Sequence, residues 1–289
     1  MVSFEQGEER LAIRIDGQPI AEYVWRDERV LRPYFRHLRT LSGIQVTRTH
    51  PPVAGQDLDD HATMHPGLWL AFGDLSGADF WRNQARIRHV SFRDPPLAGA
   101  GIGTFTAHKV YEAMDRTICE EECRITIRPR SDGYIIDWTS TFFSSQDDFT
   151  FGDQEEMGLA VRLATPLAVV NGGVITDSQG RRNEEEIWGK TADWCQYGGV
   201  IGGRRVGVVL MPHPQNFRPC WFHARNYGLL AANPFGRNAF TGGEKSRVTV
   251  KRGESLTLRF GVLVYDVPQD QAPAAAEVFA EYASRRHPQ

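Results

Sequence analysis

The sequence predicts a mostly β protein with one helix laid across it at the C-terminal end, and three observations carry that prediction. Its 289 residues include 28 Gly and 16 Pro beside 16 Phe, 8 Tyr and 7 Trp, a mixture suited to short strands joined by tight turns, because Gly supplies positive φ, Pro fixes φ and aromatic rings fill a pleated surface. Period-two alternation of apolar and polar residues recurs along the chain. A helical spacing of apolar residues is convincing in a single window.

Leu11 to Trp25 reads as a hairpin, Leu-Ala-Ile-Arg-Ile and Ile-Ala-Glu-Tyr-Val-Trp around the turn Asp16-Gly17-Gln18-Pro19, since alternation on both sides of a turn signal marks paired strands. Cys123 to Arg128 and Tyr134 to Phe143 flank Pro129-Arg130-Ser131-Asp132-Gly133, and Val206 to Met211 runs apolar up to Pro212; all have strand length. A second hairpin is expected within Ser246 to Val264, with Val248 and Val250 turning at Arg252-Gly253-Glu254 into Leu256, Leu258, Phe260, Val262 and Val264. Pro273 to Arg286 is the helix, with Ala276, Val278, Phe279, Tyr282 and Ala283 at spacings of three and four and a Pro near its start. The Pro/Gly-rich stretch Asp94 to Gly103 is the best boundary signal, yet strand-like sequence resumes at once, so residues 1–289 read as one continuous domain.

The charge balance excludes some partners. With 33 basic and 36 acidic side chains, the chain lacks the excess of Lys and Arg that phosphate backbones require, so nucleic acid is not an expected partner. No run approaches the roughly 20 apolar residues of a membrane helix, and Glu5, Glu8, Glu9 and Arg10 stand where a signal peptide needs an apolar stretch, so a cytoplasmic protein without a membrane partner is expected. Homo-oligomer formation is left open. Cys119 and Cys123 lack a second ligand pair and read as ordinary thiols. Glycine-rich dinucleotide and phosphate loops and the Gly-x-Ser-x-Gly elbow are missing, so no nucleotide cofactor is expected.

Histidines concentrate in two stretches, Leu31 to Trp81 with His37, His50, His61 and His65, and Met211 to Gly236 with His213 and His223. Histidine changes charge near neutral pH and is a frequent metal ligand. His61 and His65 are four apart, as in zinc enzymes, but the intervening Glu of that pattern is missing and Pro66-Gly67 ends any helix. A site without cofactor is therefore expected, with a divalent metal ion on His50, His61 and His65 as the alternative. In the second stretch Trp221, His223 and Arg225 alternate and share one strand face. An aromatic plate, an imidazole and a guanidinium suit a sugar, whose C–H faces stack on rings while its hydroxyls take charge-assisted hydrogen bonds. Of the acidic candidates, Glu184 to Glu186 reads as a solvated turn, and Glu155 or Glu156 beside Gly158 is the better inward carboxylate.

These motifs resemble a known bacterial family. Arg32-Pro-Tyr-Phe, Val46-Thr-Arg, Asp60-His61, His65-Pro-Gly-Leu-Trp69, Gly73-Asp74, Asp79-Phe-Trp81, Glu155-Glu156-x-Gly with Arg162, His213-Pro-x-Asn, Trp221-x-His-x-Arg-x-Tyr227-Gly and Asn233-Pro-Phe-Gly together are similar to the family labelled "methane oxygenase PmoA". The label does not suit a chain without a spanning segment. The resemblance implies a large antiparallel β-sandwich of the galactose mutarotase supersandwich type and a role in carbohydrate catabolism. Where many members show His-Pro-His-His, this chain has His61-Ala-Thr-Met-His65, which sets a three-histidine mechanism in doubt.

The expected function is thus a carbohydrate-active enzyme that cleaves a glycoside or an oxidised (keto) sugar, by hydrolysis or elimination, through general acid/base chemistry. His65 or His223 transfers the proton and Glu156 is its carboxylate partner. Arg48, His50, His61, Trp69, Asp74, Trp81, His213, Trp221, Arg225, Tyr227 and Asn233 form the substrate-binding set. A metal-dependent enzyme and a non-catalytic sugar-binding module are the alternatives.

Overall fold

The computed structural model describes residues 1–285; Arg286, the last residue of the expected helix, lies outside them. In chain order the strands are β1 (Val2–Gln6), β2 (Arg10–Ile15), β3 (Gln18–Val24), β4 (Tyr34–Arg36), β5 (Leu68–Phe72), β6 (Arg86–Gly99), β7 (Ile102–Ala113), β8 (Arg116–Arg130), β9 (Gly133–Phe143), β10 (Phe149–Phe151) and β11 (Met157–Arg162). They continue with β12 (Val174–Asp177), β13 (Cys195–Ile201), β14 (Arg204–Pro212), β15 (Trp221–Arg225), β16 (Leu229–Asn233), β17 (Val248–Val250) and β18 (Ser255–Pro268). Helices α1 (Asn183–Ile187) and α2 (Arg237–Thr241) are short, and α3 (Ala275–Ser284) is the C-terminal helix.

Two eight-stranded sheets form, in the orders β1-β2-β3-β4-β5-β11-β16-β15 and β12-β13-β14-β18-β9-β8-β7-β6, with a small ribbon of β10 and β17. Every pairing between named strands is antiparallel. The sheets stack through their apolar faces: Phe35 meets Trp138 at 5.7 Å and Phe72 meets Phe142 at 5.4 Å between ring centroids. The chain is therefore an all-β antiparallel sandwich with a C-terminal helix.

Alternation decides what each face buries. Ile136, Val208 and Val262 enter the core between the sheets, while their neighbours Ile135, Val209 and Leu263 join Val278 and Tyr282 of α3 on the opposite face of the second sheet. Both faces of those strands are covered, which is why they read as apolar runs instead of clean alternation. Each fully buried aliphatic side chain contributes about 1.5–3 kcal/mol of transfer free energy. No helix among the described residues is long and apolar enough to cross a membrane. All four cysteines, Cys119, Cys123, Cys195 and Cys220, are free and buried.

The hairpin expected within Ser246 to Val264 does not form as such. Val248–Val250 pairs with Phe149–Phe151, whereas β18 pairs with β9 and β14. The turn at 252–254 exists, but three residues make too short a ladder to hold β17 beside the fourteen-residue β18, and the two part to different sheets. The acidic start of the chain, in turn, forms edge strand β1 on β2.

Candidate functional site

The face of the first sheet turned away from the core carries the polar motif residues. In register across β5, β11, β16 and β15 stand Trp69, Ala160, Ala231 and His223; one step along, Arg162, Leu229 and Arg225 are aligned. Residues of the other parity, Leu68, Leu70, Val161, Leu159, Leu230, Ala232, Phe222 and Ala224, point into the sandwich. The small side chains of Ala160 and Ala231 make a floor on which larger groups stand. Gly67 lets the loop before β5 cross β4, since a Cβ there would lie 2.1 Å from the Phe35 carbonyl oxygen and its φ is +153°.

A stack of rings rises from this floor. His65 lies nearly parallel to Trp69 at 5.2 Å, His61 stacks on His65 at 4.7 Å, and Tyr227 lies parallel to His61 at 5.8 Å. Trp81 closes edge-on against Trp69 at 5.2 Å. Trp69, Trp81 and His65 are buried, whereas the His61 side chain keeps 40% of its surface exposed. His61 has φ +52°, a left-handed backbone that a non-glycine residue adopts at a cost and that concentrates at functional sites.

Asp60 ties the stack to charge. Its carboxylate accepts two bonds from the buried Arg162 guanidinium, at 2.7 and 2.6 Å, and lies 2.9 Å from His61 Nδ1. Desolvation would raise the Asp60 pKa, but the bonds from Arg162 and His61 outweigh it and hold the carboxyl down at about 2. A carboxylate kept ionised fixes Nδ1 of His61 as the protonated nitrogen, leaving Nε2 as the basic one. Arg162 also covers the Tyr227 ring at 4.6 Å.

Burial, with Arg162 next in weight, pushes the His65 pKa well below its ordinary value. Arg162 Nη1 approaches His65 Nδ1 at 3.4 Å; a guanidinium only donates, so Nδ1 accepts and Nε2 carries the proton. That Nε2–H is buried without a partner, as are the indole N–H groups of Trp69 and Trp81.

Arg48, expected to bind substrate, instead points inward under the loop. It is 1% exposed, and it donates to the main-chain carbonyls of Leu58 (2.7 Å), Asp60 (2.6 Å), His61 (3.3 Å) and His65 (3.1 Å). Burial brings its pKa down to about 10. Arg32 does similar work, donating to the carbonyls of Trp81 and Met64. Both guanidiniums replace the regular ladder that this irregular loop lacks.

A second polar group sits on β15. Arg225 donates to Glu184 at 2.8 Å and to Glu155 at 3.3 Å, and lies over the Trp188 ring at 5.6 Å. Its Nε donates to His223 Nε2 at 2.9 Å, and His223 Nδ1 lies 3.2 Å from the Glu155 carbonyl oxygen. Both ring nitrogens are thus satisfied in the neutral form, and burial holds the His223 pKa down to about 3. Glu184, read from sequence as part of a solvated turn, is the main partner of Arg225, and it also accepts the Asn226 N–H.

The other expected residues scatter. Glu156 pairs with Arg82, and the carboxylates beside His61 and His223 are instead Asp60 and Glu155. Asp74 accepts the Gly77 N–H in a turn. His50 packs edge-on against Tyr34 at 5.3 Å, and burial brings it to about 4. His213 accepts the Gln215 N–H and packs against Tyr282 of α3. Asn233 donates to the carbonyls of Gln154 and Glu155 and accepts from Phe235 and Gly236, which fixes the segment bearing Glu155. Trp221 is half-buried on the face of His223. Asp60, Arg162 and Glu184 were not among the expected site residues, and Glu155 stood only as the alternative to Glu156, although the adjacency Asp60-His61 and the alternation that places Arg162 on the face of Ala160 were legible.

The metal alternative changes its membership. His50 stands apart, and the one ligand-like group among the described residues is Asp60, His61 and His65. Both Asp60 oxygens already accept from the buried Arg162 guanidinium, so a cation on this set would share the carboxylate with a positive charge held against it. Open surface grooves of about 650 and 720 Å³ lie elsewhere, one lined by Asp79 and Glu112, the other by Asp148, Lys245 and, of the expected binding residues, Asp74.

No curated protein matches the chain. Among solved structures, a galactose mutarotase-like protein from Clostridium acetobutylicum aligns at 10% identity and TM-score 0.42 over 93% of this chain and 98% of its own, and one from Lactobacillus casei at 10% and 0.38 over 92% and 100%. A protein named for kojibiose phosphorylase, from the human microbiome, aligns at 11% and 0.38 over 70% of this chain, which spans 25% of that protein's length. None of these matches bears the methane oxygenase label suggested by the motifs. Residues 10–279 match the family described as a family of unknown function, DUF6807, and the chain belongs to that family.

Proposed function

We propose that this face is the sugar site of a carbohydrate-active enzyme working by proton transfer, with the Asp60–His61 dyad as its acid/base group. The observation that carries the reading is the exposed imidazole of His61, oriented through Nδ1 by an ionised Asp60 and stacked on His65, with the Tyr227 ring nearly parallel to both. A carboxylate that fixes one imidazole nitrogen leaves the other free to take and return a proton. Tyr227 offers a ring face at the same place, and Glu155, Glu184 and Arg225 offer acceptors and donors for hydroxyls. His65 and His223, the proton-transfer groups expected from the motifs, fit that task less well because both are buried and held neutral.

The substrate class in this reading is a glycoside or an oxidised sugar, cleaved by hydrolysis or elimination. The test is incubation of the purified protein with a panel of glycosides and keto-glycosides, products being read by mass spectrometry. Turnover that falls about 10²–10⁴-fold in His61→Gln is the expected result. Sugars bound without turnover would make the chain a binding module, and a wild-type rate in His61→Gln would remove the dyad from the chemistry.

A further inference from the structure

Three buried donors of the ring stack lack an acceptor: His65 Nε2–H, Trp69 Nε1–H and Trp81 Nε1–H. Their rings form one cluster, with centroids 5.2 Å (His65–Trp69), 5.2 Å (Trp69–Trp81) and 6.3 Å (His65–Trp81) apart. Buried donors without partners are rare and costly, about 1–3 kcal/mol each, and three in one cluster call for an explanation. Indole N–H groups donate only, and the Arg162 contact at Nδ1 leaves His65 a donor at Nε2. Such a set is complementary to an oxygen that only accepts, and most of all to one that gains negative charge.

We propose that the N–H groups of His65, Trp69 and Trp81 form an oxyanion subsite for the carbonyl oxygen of a keto sugar, a deepening that rests on the sugar reading of the preceding section. The His61 and His65 rings stack with their centroids 4.7 Å apart, so the base and one oxygen donor sit on neighbouring rings, as the adjacent C–H and C=O of a ketone require. His61 Nε2 takes the proton from the carbon next to the carbonyl, and the C–H electrons form the C=C bond while the C=O π pair moves to oxygen. The enolate oxygen is held by the three donors. Its electrons then return, C=O re-forms, the C=C pair shifts to the next bond, and the glycosidic C–O bond breaks. His61 returns its proton to the leaving oxygen, and no oxidant or reductant is consumed. A neutral imidazole is the better donor here, since an imidazolium would surrender its proton to the enolate, and the environment of His65 keeps it neutral. The three atoms are closed to solvent in the unliganded chain, and His61, the exposed end of the stack, is the ring that turns to admit the carbonyl.

The chemistry places the ketone two carbons from the anomeric carbon, so the probe is methyl 3-keto-glucopyranoside beside its parent methyl glucopyranoside. In D₂O, proton NMR follows exchange at C2 with the full-length protein. Exchange is expected with the keto probe alone, falling by about 10²-fold in Trp69→Phe and in Trp81→Phe, each of which removes the N–H donor and keeps a smaller aromatic ring. If one variant fails to fold, the other carries the comparison. Exchange at the wild-type rate in the folded variants overturns the subsite, the donors then holding internal water only. Hydrolysis of ordinary glycosides without C2 exchange overturns it as well but leaves the sugar reading standing. Failure to bind or turn over any sugar removes that reading itself.

Discussion

Arg162 and Asp60, 102 residues apart, form a two-pronged ion pair with N–O distances of 2.7 and 2.6 Å beneath the His61 ring. The guanidinium is buried and the carboxylate partly exposed at 36%. The pair therefore joins β11 to the loop that bears the dyad.

Asp60→Asn removes the charge that orients His61 and partners Arg162. Loss of one partner from a fully buried pair costs roughly 3–5 kcal/mol, and the exposure of Asp60 brings the expected cost below that range. The Asp60 pKa is lowered from 3.8 to about 2 in the folded chain, so its stabilisation is complete above about pH 4 and is lost as pH falls through 2. Urea unfolding of wild type and Asp60→Asn should differ at pH 7 and converge near pH 2; an equal gap at both would contradict the pairing.

His223 carries a pH signature of its own. Its folded pKa is held down to about 3 against an ordinary 6.5, so the unfolded chain binds more protons between those values and stability falls as pH drops from 6.5 toward 3. His223→Gln, whose amide oxygen can still accept from Arg225, should flatten this slope without abolishing it, because His65 is shifted in the same direction. Melting temperatures measured across pH 4–7 decide the matter, and unchanged slopes would count against a neutral buried His223.

Arg48 is a scaffold of the loop. Hydrogen bonds from a charged group contribute about 1.5–3 kcal/mol each, and Arg48 makes four, to the carbonyls of Leu58, Asp60, His61 and His65. Arg48→Met should cost about 3 kcal/mol or more by chemical denaturation. Arg48→Lys should recover only part of it, since a single ammonium cannot span the fork. A loss below about 0.5 kcal/mol, typical of a surface site, would mean that the loop does not depend on it.

Tyr227→Leu keeps an apolar side chain yet removes the ring that lies over Arg162 and against His61. Cation–π contacts contribute about 0.5–2 kcal/mol, so stability should fall by that order. Sugar affinity, measured by calorimetry on whichever sugar the wild type binds, should weaken further. Unaltered affinity would take Tyr227 out of the site.

Much of the fold was legible in the chain. The hairpin at Asp16-Gly17, the β8–β9 hairpin and the C-terminal helix all follow from local pattern. The pairing of Val248–Val250 with Phe149–Phe151 was not, because a three-residue strand carries too little pattern to name its partner across the chain. The same boundary runs through the site. That Trp221, His223 and Arg225 share a face is a consequence of period two alone.

By itself, then, the sequence determined which residues alternate, where the chain turns, and that imidazoles, indoles and guanidiniums crowd into two stretches. Tertiary structure alone decided what each of them touches. A guanidinium has the same chemistry whether it meets a ligand, a carboxylate or a main-chain carbonyl; only the fold brings the 58–65 loop to Arg48 and Arg162, which meet its carbonyls and Asp60, and lays α1 beside β15, where Arg225 meets Glu184. Burial likewise separates the histidines: His65 and His223 are enclosed and held neutral, while His61 reaches solvent. Desolvation depends on neighbours far away in the chain, and local spacing carries no record of them.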